Sequence, residues 1–227
     1  MSVMTEVSSL TGRLLIATPA LADPNFDRAV VLVLDHDGEG SLGVILNRPT
    51  PVGVGDILVG WEQLAGEPGV IFQGGPVALD SALGVAVIPG VEGPAVTPRR
   101  SPWGEPSPSS RFSSGSRDPF SSAPPRSSSE DPIGWRRVRG AIGVVDLETP
   151  PELLAAALGS LRIFAGYAGW GPGQLESELT EGAWYVVDSE PGDVACPEPD
   201  GMWRAVLRRQ RSKLAMIATY PDDPSLN

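Results

Sequence analysis

Residues 29–46 read AVVLVLDHDGEGSLGVIL, and this stretch decides the fold. Ala29 to Leu34 is an unbroken apolar run rich in valine, the pattern of a strand buried on both faces. Asp35, His36, Asp37, Gly38, Glu39, Gly40 and Ser41 carry turn chemistry, and Leu42 to Leu46 read as the returning strand. The unit is therefore expected to be a β-hairpin. Upstream, Gly12 to Ala17 reads as another strand, followed by a loop holding Pro19, Asp23, Pro24 and Asn25. Downstream come a short helix over Asp56 to Ala65 and strands over Val70 to Phe72 and Leu83 to Ile88, split by a Gly74-Gly75-Pro76 turn. Ala141 to Leu147 reads as a strand, and Thr149-Pro150-Pro151-Glu152 as a capped helix start continuing to Leu158. Arg162 to Tyr167 is expected to be a strand, and Pro172 to open a helix with Leu175 and Leu179 on one face. Ala183 to Val187 reads as a strand, and Met202 to about Ala218 as a helix. Strands and helices in loose alternation, with a hairpin among them, predict an α/β fold: a mixed sheet with helices packed against it.

A chain of 227 residues, 41% hydrophobic, can bury a sizeable core in one domain without staples. Twelve of the 32 residues from Ser101 to Pro132 are serine and seven are proline. Such a segment cannot bury enough apolar surface to offset its ordering entropy. The expected organisation is one domain built from residues 1–95 and 133–227, with residues 96–132 as a disordered insertion. Cys196 is the sole cysteine, so an intrachain disulfide and a cysteine-built metal cage are both excluded. The opening residues lack the pattern of a secretory signal, and the longest apolar run is far below the ~18 residues of a membrane span, so the protein is expected in the cytoplasm. A net charge of −11 argues against non-specific nucleic-acid binding and against docking on anionic membranes.

Few residues carry recognisable chemistry. Asp35, Asp37, Glu39 and Gly40 imitate the start of a calcium loop, but Leu46 stands where a bidentate glutamate belongs, and a hairpin turn explains the same residues. His36, the sole histidine, reads as a solvated turn residue; no Gly-x-Ser-x-Gly elbow accompanies it. Gly166 to Gly173 is rich in glycine, yet it matches neither a Walker loop nor a dinucleotide fingerprint, and no cofactor is implied. It is either an anion-holding connection or a tight structural turn with Trp170 in the core. Asp23, Asp27, Glu176 and Glu178 are candidate acid–base carboxylates. Arg204, Arg208 and Arg211 are expected on one face of an amphipathic helix whose other face holds Trp203, Val206, Leu207 and Leu214.

Several stretches then read together. Gly12-Arg13-Leu14-Leu15-Ile16-Ala17-Thr18-Pro19, Asp23-Pro24-Asn25-Phe26 and Gly43-Val44-Ile45-Leu46-Asn47-Arg48-Pro49 resemble the opening of the YqgE/AlgH family. Gly74-Gly75-Pro76-Val77, Gly166-Tyr167-Ala168-Gly169-Trp170-Gly171-Pro172-Gly173-Gln174-Leu175-Glu176 and Ala183-Trp184 are similar to its later signatures. The resemblance spans nearly all of the chain outside the insertion. It implies a sheet curled into a partial barrel and no agreed reaction; members are often labelled transcriptional regulators, although no helix-turn-helix pattern is present here. Two departures stand out: the Ser/Pro-rich insertion, and Leu83-Gly84-Val85-Ala86 where the family commonly has a histidine.

The motif residues with polar or aromatic groups fall in expected loops, where function collects. Asn47, Arg48, Tyr167, Trp170 and Gln174 are accordingly the expected ligand contacts, with Arg48 holding an anion and Trp170 stacking. The function expected is a non-enzymatic binding or regulatory module with a small-molecule or protein partner. The alternatives are an enzyme acting on a small anionic metabolite, with Asp23 or Glu176 as base, and a transcriptional regulator acting directly or through a protein partner.

Overall fold

A computed structural model describes residues 9–89, 131–211 and 213–221 of the chain. The segment 96–132, expected to be disordered, lies outside the described residues except for Asp131 and Pro132.

Ten strands form one sheet among the described residues: β1 (Arg13–Ala17), β2 (Val30–Asp37), β3 (Gly40–Ile45), β4 (Pro49–Gly53), β5 (Val70–Gln73), β6 (Val77–Val87), β7 (Trp135–Arg139), β8 (Ile142–Val145), β9 (Ser160–Trp170) and β10 (Trp184–Asp188). Their order is β10-β1-β2-β3-β9-β6-β8-β7, with β5 on β9 and β4 on β5. Every pairing is antiparallel except β5 with β9, which makes the sheet mixed. The helices are α1 (Val54–Ile57), α2 (Pro151–Leu154), α3 (Gln174–Thr180), α4 (Pro191–Val194), α5 (Met202–Arg209) and α6 (Lys213–Ile217). This is the α/β arrangement that the alternation predicts.

β9 joins two half-sheets. Its Ile163, Phe164 and Ala165 pair with β5, and its Ala168, Gly169 and Trp170 pair with β3. Between them Gly166 takes φ +69°, and a Cβ there would stand 2.6 Å from the Val77 carbonyl. Only glycine accepts both conditions. Gly74 fills the gap beside this bend: its N–H donates to Ala165 O and its carbonyl accepts from Ile45 N–H, each at 2.8 Å. A Cβ on Gly74 would meet Gly166 O at 2.2 Å. The two glycine signatures thus touch backbone to backbone, and the sheet curls there into a partial barrel.

The curl gives the sheet an inner face shared by both halves. Leu14, Ile16, Leu32 and Val44 from one half meet Phe72, Val85, Ile142 and Phe164 from the other, and α5 closes this core with Met202, Trp203, Val206 and Leu207. Outside, Leu15, Val31, Val33 and Ile45 pack with Trp170, Leu175 and Trp184 beneath α3. On the second half, Ile71, Leu161 and Ile163 pack with Val54 of α1 and Leu154 of α2. Both faces are covered, which is why β2 reads as a continuous apolar run.

Five expectations change. The hairpin turn is only Gly38 and Glu39, because pairing continues to Asp37 opposite Gly40. His36 therefore lies on a strand and is buried, 7% exposed, rather than solvated in a turn. Residues Gly166 to Trp170 are strand, not loop. The helix expected from Met202 to Ala218 is two, α5 and α6, parted by Arg211 at φ +46°. The capped helix expected at Thr149 is one turn, Pro151–Leu154, and its N-cap is Pro150, which makes no side-chain cap.

Candidate functional site

A polar cleft of about 270 Å³ opens where three connections converge: Asp27 and Arg28 before β2, Asn47 and Arg48 after β3, and Asp200, Trp203 and Arg204 at the start of α5. Asn47 builds its floor. The buried amide accepts from Val30 N–H and donates to Arg28 O, both at 2.9 Å, so it ties the β1–β2 loop to the end of β3. Arg28 takes a left-handed backbone, φ +50°, and lays its guanidinium 4.8 Å from the Trp203 ring centroid. Its Nη2 donates to Pro221 O. Arg204 approaches the same ring at 5.9 Å and donates to Ala218 O at 2.5 Å. Trp203 is fixed in turn by Nε1–H to Ala17 O at 2.9 Å. Two cations on one indole are favourable contacts where water is scarce.

Arg48 donates to Asp27 O and, at 3.3 Å, to Asn47 O. Among the described residues the rest of its donor fork is unengaged. Burial pulls its pKa below the ordinary arginine value, while the charges of Asp27 and Asp200 push it back up. It stays a cation, and a partly desolvated one. Three guanidiniums and two carboxylates line this cleft of a strongly negative protein, and Arg48 keeps donors to spare. A small anion is what such a site attracts.

The five expected contact residues are not gathered in one place. Asn47 and Arg48 line the cleft. Tyr167 packs against the inner core. Trp170 is buried on the outer face, stacked on Phe26 at 6.2 Å and edge-on to Trp184 at 6.0 Å, with its Nε1–H on Glu178. Gln174 heads α3, accepting from Gly171 N–H and donating to Glu178. Of the carboxylates weighed for acid–base work, Asp27 lines the cleft and the other three are occupied elsewhere. Asp23 accepts the N–H and amide of Asn25, and Glu178 accepts both Trp170 and Trp184 indoles. Glu176 stands 3.6 Å from His36 Nε2, while His36 Nδ1 and Ser41 Oγ are 2.7 Å apart. The basic stripe of α5 divides: Arg208 and Arg211 are exposed, whereas Arg204 turns into the cleft. Among the described residues no cluster of His, Cys, Asp and Glu could hold a metal, and no helix is long and apolar enough to cross a membrane.

Comparison with known proteins adds a frame to this geometry. The model of the AlgH-like family matches residues 14–106 and 125–215. The chain belongs to the AlgH-like family. A UPF0301 protein of Streptomyces avermitilis is 70% identical over 227 residues, covering 100% of both chains. A crystal structure of a Corynebacterium diphtheriae protein is similar at TM-score 0.71 and 26% identity, covering 92% of each chain. The solution structure of AlgH from Pseudomonas aeruginosa matches in fold at TM-score 0.58 and 23% identity, covering 98% of this chain and 100% of that one. The AlgH-like family has no established activity, so the chemistry must come from the cleft. Sequence reasoning reached Asn47 and Arg48 through their motif and Asp27 as a candidate acid–base carboxylate, but missed Arg28 and Asp200 as site residues. The readable signal was the Asp-Arg pair directly before a fully buried strand, joined in the fold to a Trp-Arg pair heading a helix.

Proposed function

We propose that this protein is a non-enzymatic binding or regulatory module that takes a small anionic ligand in the Arg28–Arg48–Arg204 cleft. One observation carries the reading: three guanidiniums from three separate connections converge on one polar cleft, and the donor fork of Arg48 is only partly used. Asp23, Glu176 and Glu178 are held by an asparagine turn, a histidine and two indoles in other surroundings, and the two carboxylates of the cleft, Asp27 and Asp200, are exposed to solvent, which favours binding over general-base catalysis. The module is read as cytoplasmic, and its ligand-bound state as the form recognised by a protein partner. Direct action on DNA is not favoured, because Arg204 is drawn out of the exposed stripe of α5.

A thermal-shift titration with orthophosphate, phosphorylated metabolites, nucleotides and carboxylic acids tests this. A ligand at ~100 times its Kd adds about 2.7 kcal/mol to stability. At least one anion is expected to raise the melting temperature, and Arg48→Ala to abolish the rise. No response to any anion, or a response indifferent to Arg48→Ala, contradicts the reading.

A further inference from the structure

We propose that the anion bound in the arginine cleft also carries hydroxyl groups, and that Asp27 and Asp200 accept them. The inference rests on the anion-binding reading above and narrows its ligand class. A site for a bare anion gains nothing from acids on its wall, since each carboxylate repels the ligand the arginines attract. Yet two of the five charged side chains lining this cleft are aspartates.

Aspartate beside arginine ordinarily closes into a direct ion pair, often bidentate. Here neither happens. Among the described residues the side chains of Asp27 and Asp200 make no hydrogen bond and no ion pair within 4 Å. Both remain near enough to Arg48 to act on it electrostatically. An ionised carboxylate is an acceptor alone, so its complement must donate. An ammonium donor would be repelled by the Arg48 guanidinium that lies near both carboxylates, which leaves neutral donors, and hydroxyls suit a carboxylate best. The size agrees. At about 270 Å³ the cleft falls just below the ~300–1,000 Å³ of drug-sized pockets, as suits a small metabolite. The ligand class is a small anion with neighbouring hydroxyls, whose head group is a phosphate or a carboxylate.

Titration calorimetry on the full chain separates the possibilities, using orthophosphate, propyl phosphate, glycerol 1-phosphate, glucose 6-phosphate and gluconate. The wild type is expected to bind a hydroxylated anion about tenfold or more tighter than propyl phosphate, the value of a charge-assisted hydrogen bond. Asp200→Asn, on an exposed turn, is expected to act in opposite directions: weaker binding of the hydroxylated ligand and tighter binding of orthophosphate, from which it removes a repelling charge. Asp27→Asn should do the same. Gluconate against the sugar phosphates tells which head group is preferred. Equal affinity for propyl and glycerol phosphates, or an Asp200→Asn effect of one sign on every ligand, overturns the hydroxyl inference while leaving an anion site standing. Failure of every anion to bind overturns both.

Discussion

Glu178 shows how much one side chain can hold. Its Oε2 accepts the indole N–H of Trp170 at 3.0 Å and of Trp184 at 2.8 Å, and its Oε1 accepts Gln174 at 2.9 Å. Both indoles belong to largely buried rings that would otherwise leave a donor unmet. Glu178→Ala is expected to lower stability by about 2–3 kcal/mol, read from urea unfolding followed by tryptophan fluorescence, with Glu178→Gln recovering part of it. A loss below about 0.5 kcal/mol would mean that water replaces the carboxylate without cost. Arg162 is the opposite case. It is 2% exposed, its Nη2 donates to Glu67 O at 3.1 Å and Cys196 O at 2.6 Å, and its Nη1 has no hydrogen-bond partner among the described residues. Burial pulls its pKa down to about 10 despite the opposing influence of Cys196. The native state therefore bears the burial penalty in full below pH 10. That penalty is relieved as pH rises from about 10 towards the ordinary arginine value, where the unfolded chain still keeps the proton.

At the scale of elements, β9 and α5 decide the architecture, and they were legible to different degrees. The hairpin of β2 and β3 could be read because apolar runs and turn residues are local signals. The glycine run of β9 could not. Its purpose is a close approach to Gly74 and Val77, strands far away in sequence, and nothing local separates that from a loop. The same blindness misplaced His36 and hid β4, whose Pro49 and Gly53 read as breakers but pair with β5. The cleft was half legible: Asn47 and Arg48 stood in a motif, while Arg28 and Trp203 join them only once α5 closes the barrel. Gly166→Ala isolates the bend. It must strain a left-handed backbone and push on a carbonyl 2.6 Å away, so a loss of about 2 kcal/mol or more in urea unfolding is expected. A neutral outcome would show that the bend does not depend on glycine.

For the whole molecule, the segment 96–132 is proposed to be a disordered insertion that the domain tolerates. It separates β6 from β8, and these strands pair from Gly84 opposite Val145 to Val87 opposite Ile142. Limited proteolysis should therefore cut within 96–132 and leave two fragments that elute together in gel filtration and part only in denaturant. A segment that resists protease would contradict disorder. Anion binding in the arginine-lined cleft of this negative molecule is tested most directly by amide NMR during titration with orthophosphate and glycerol 1-phosphate. The account predicts saturable shifts at Asp27, Arg28, Asn47, Arg48 and Asp200 to Arg204, including the Trp203 indole N–H, all lost in Arg48→Ala. Shifts scattered over other basic surface such as Arg208 and Arg211, or none at all, would contradict it.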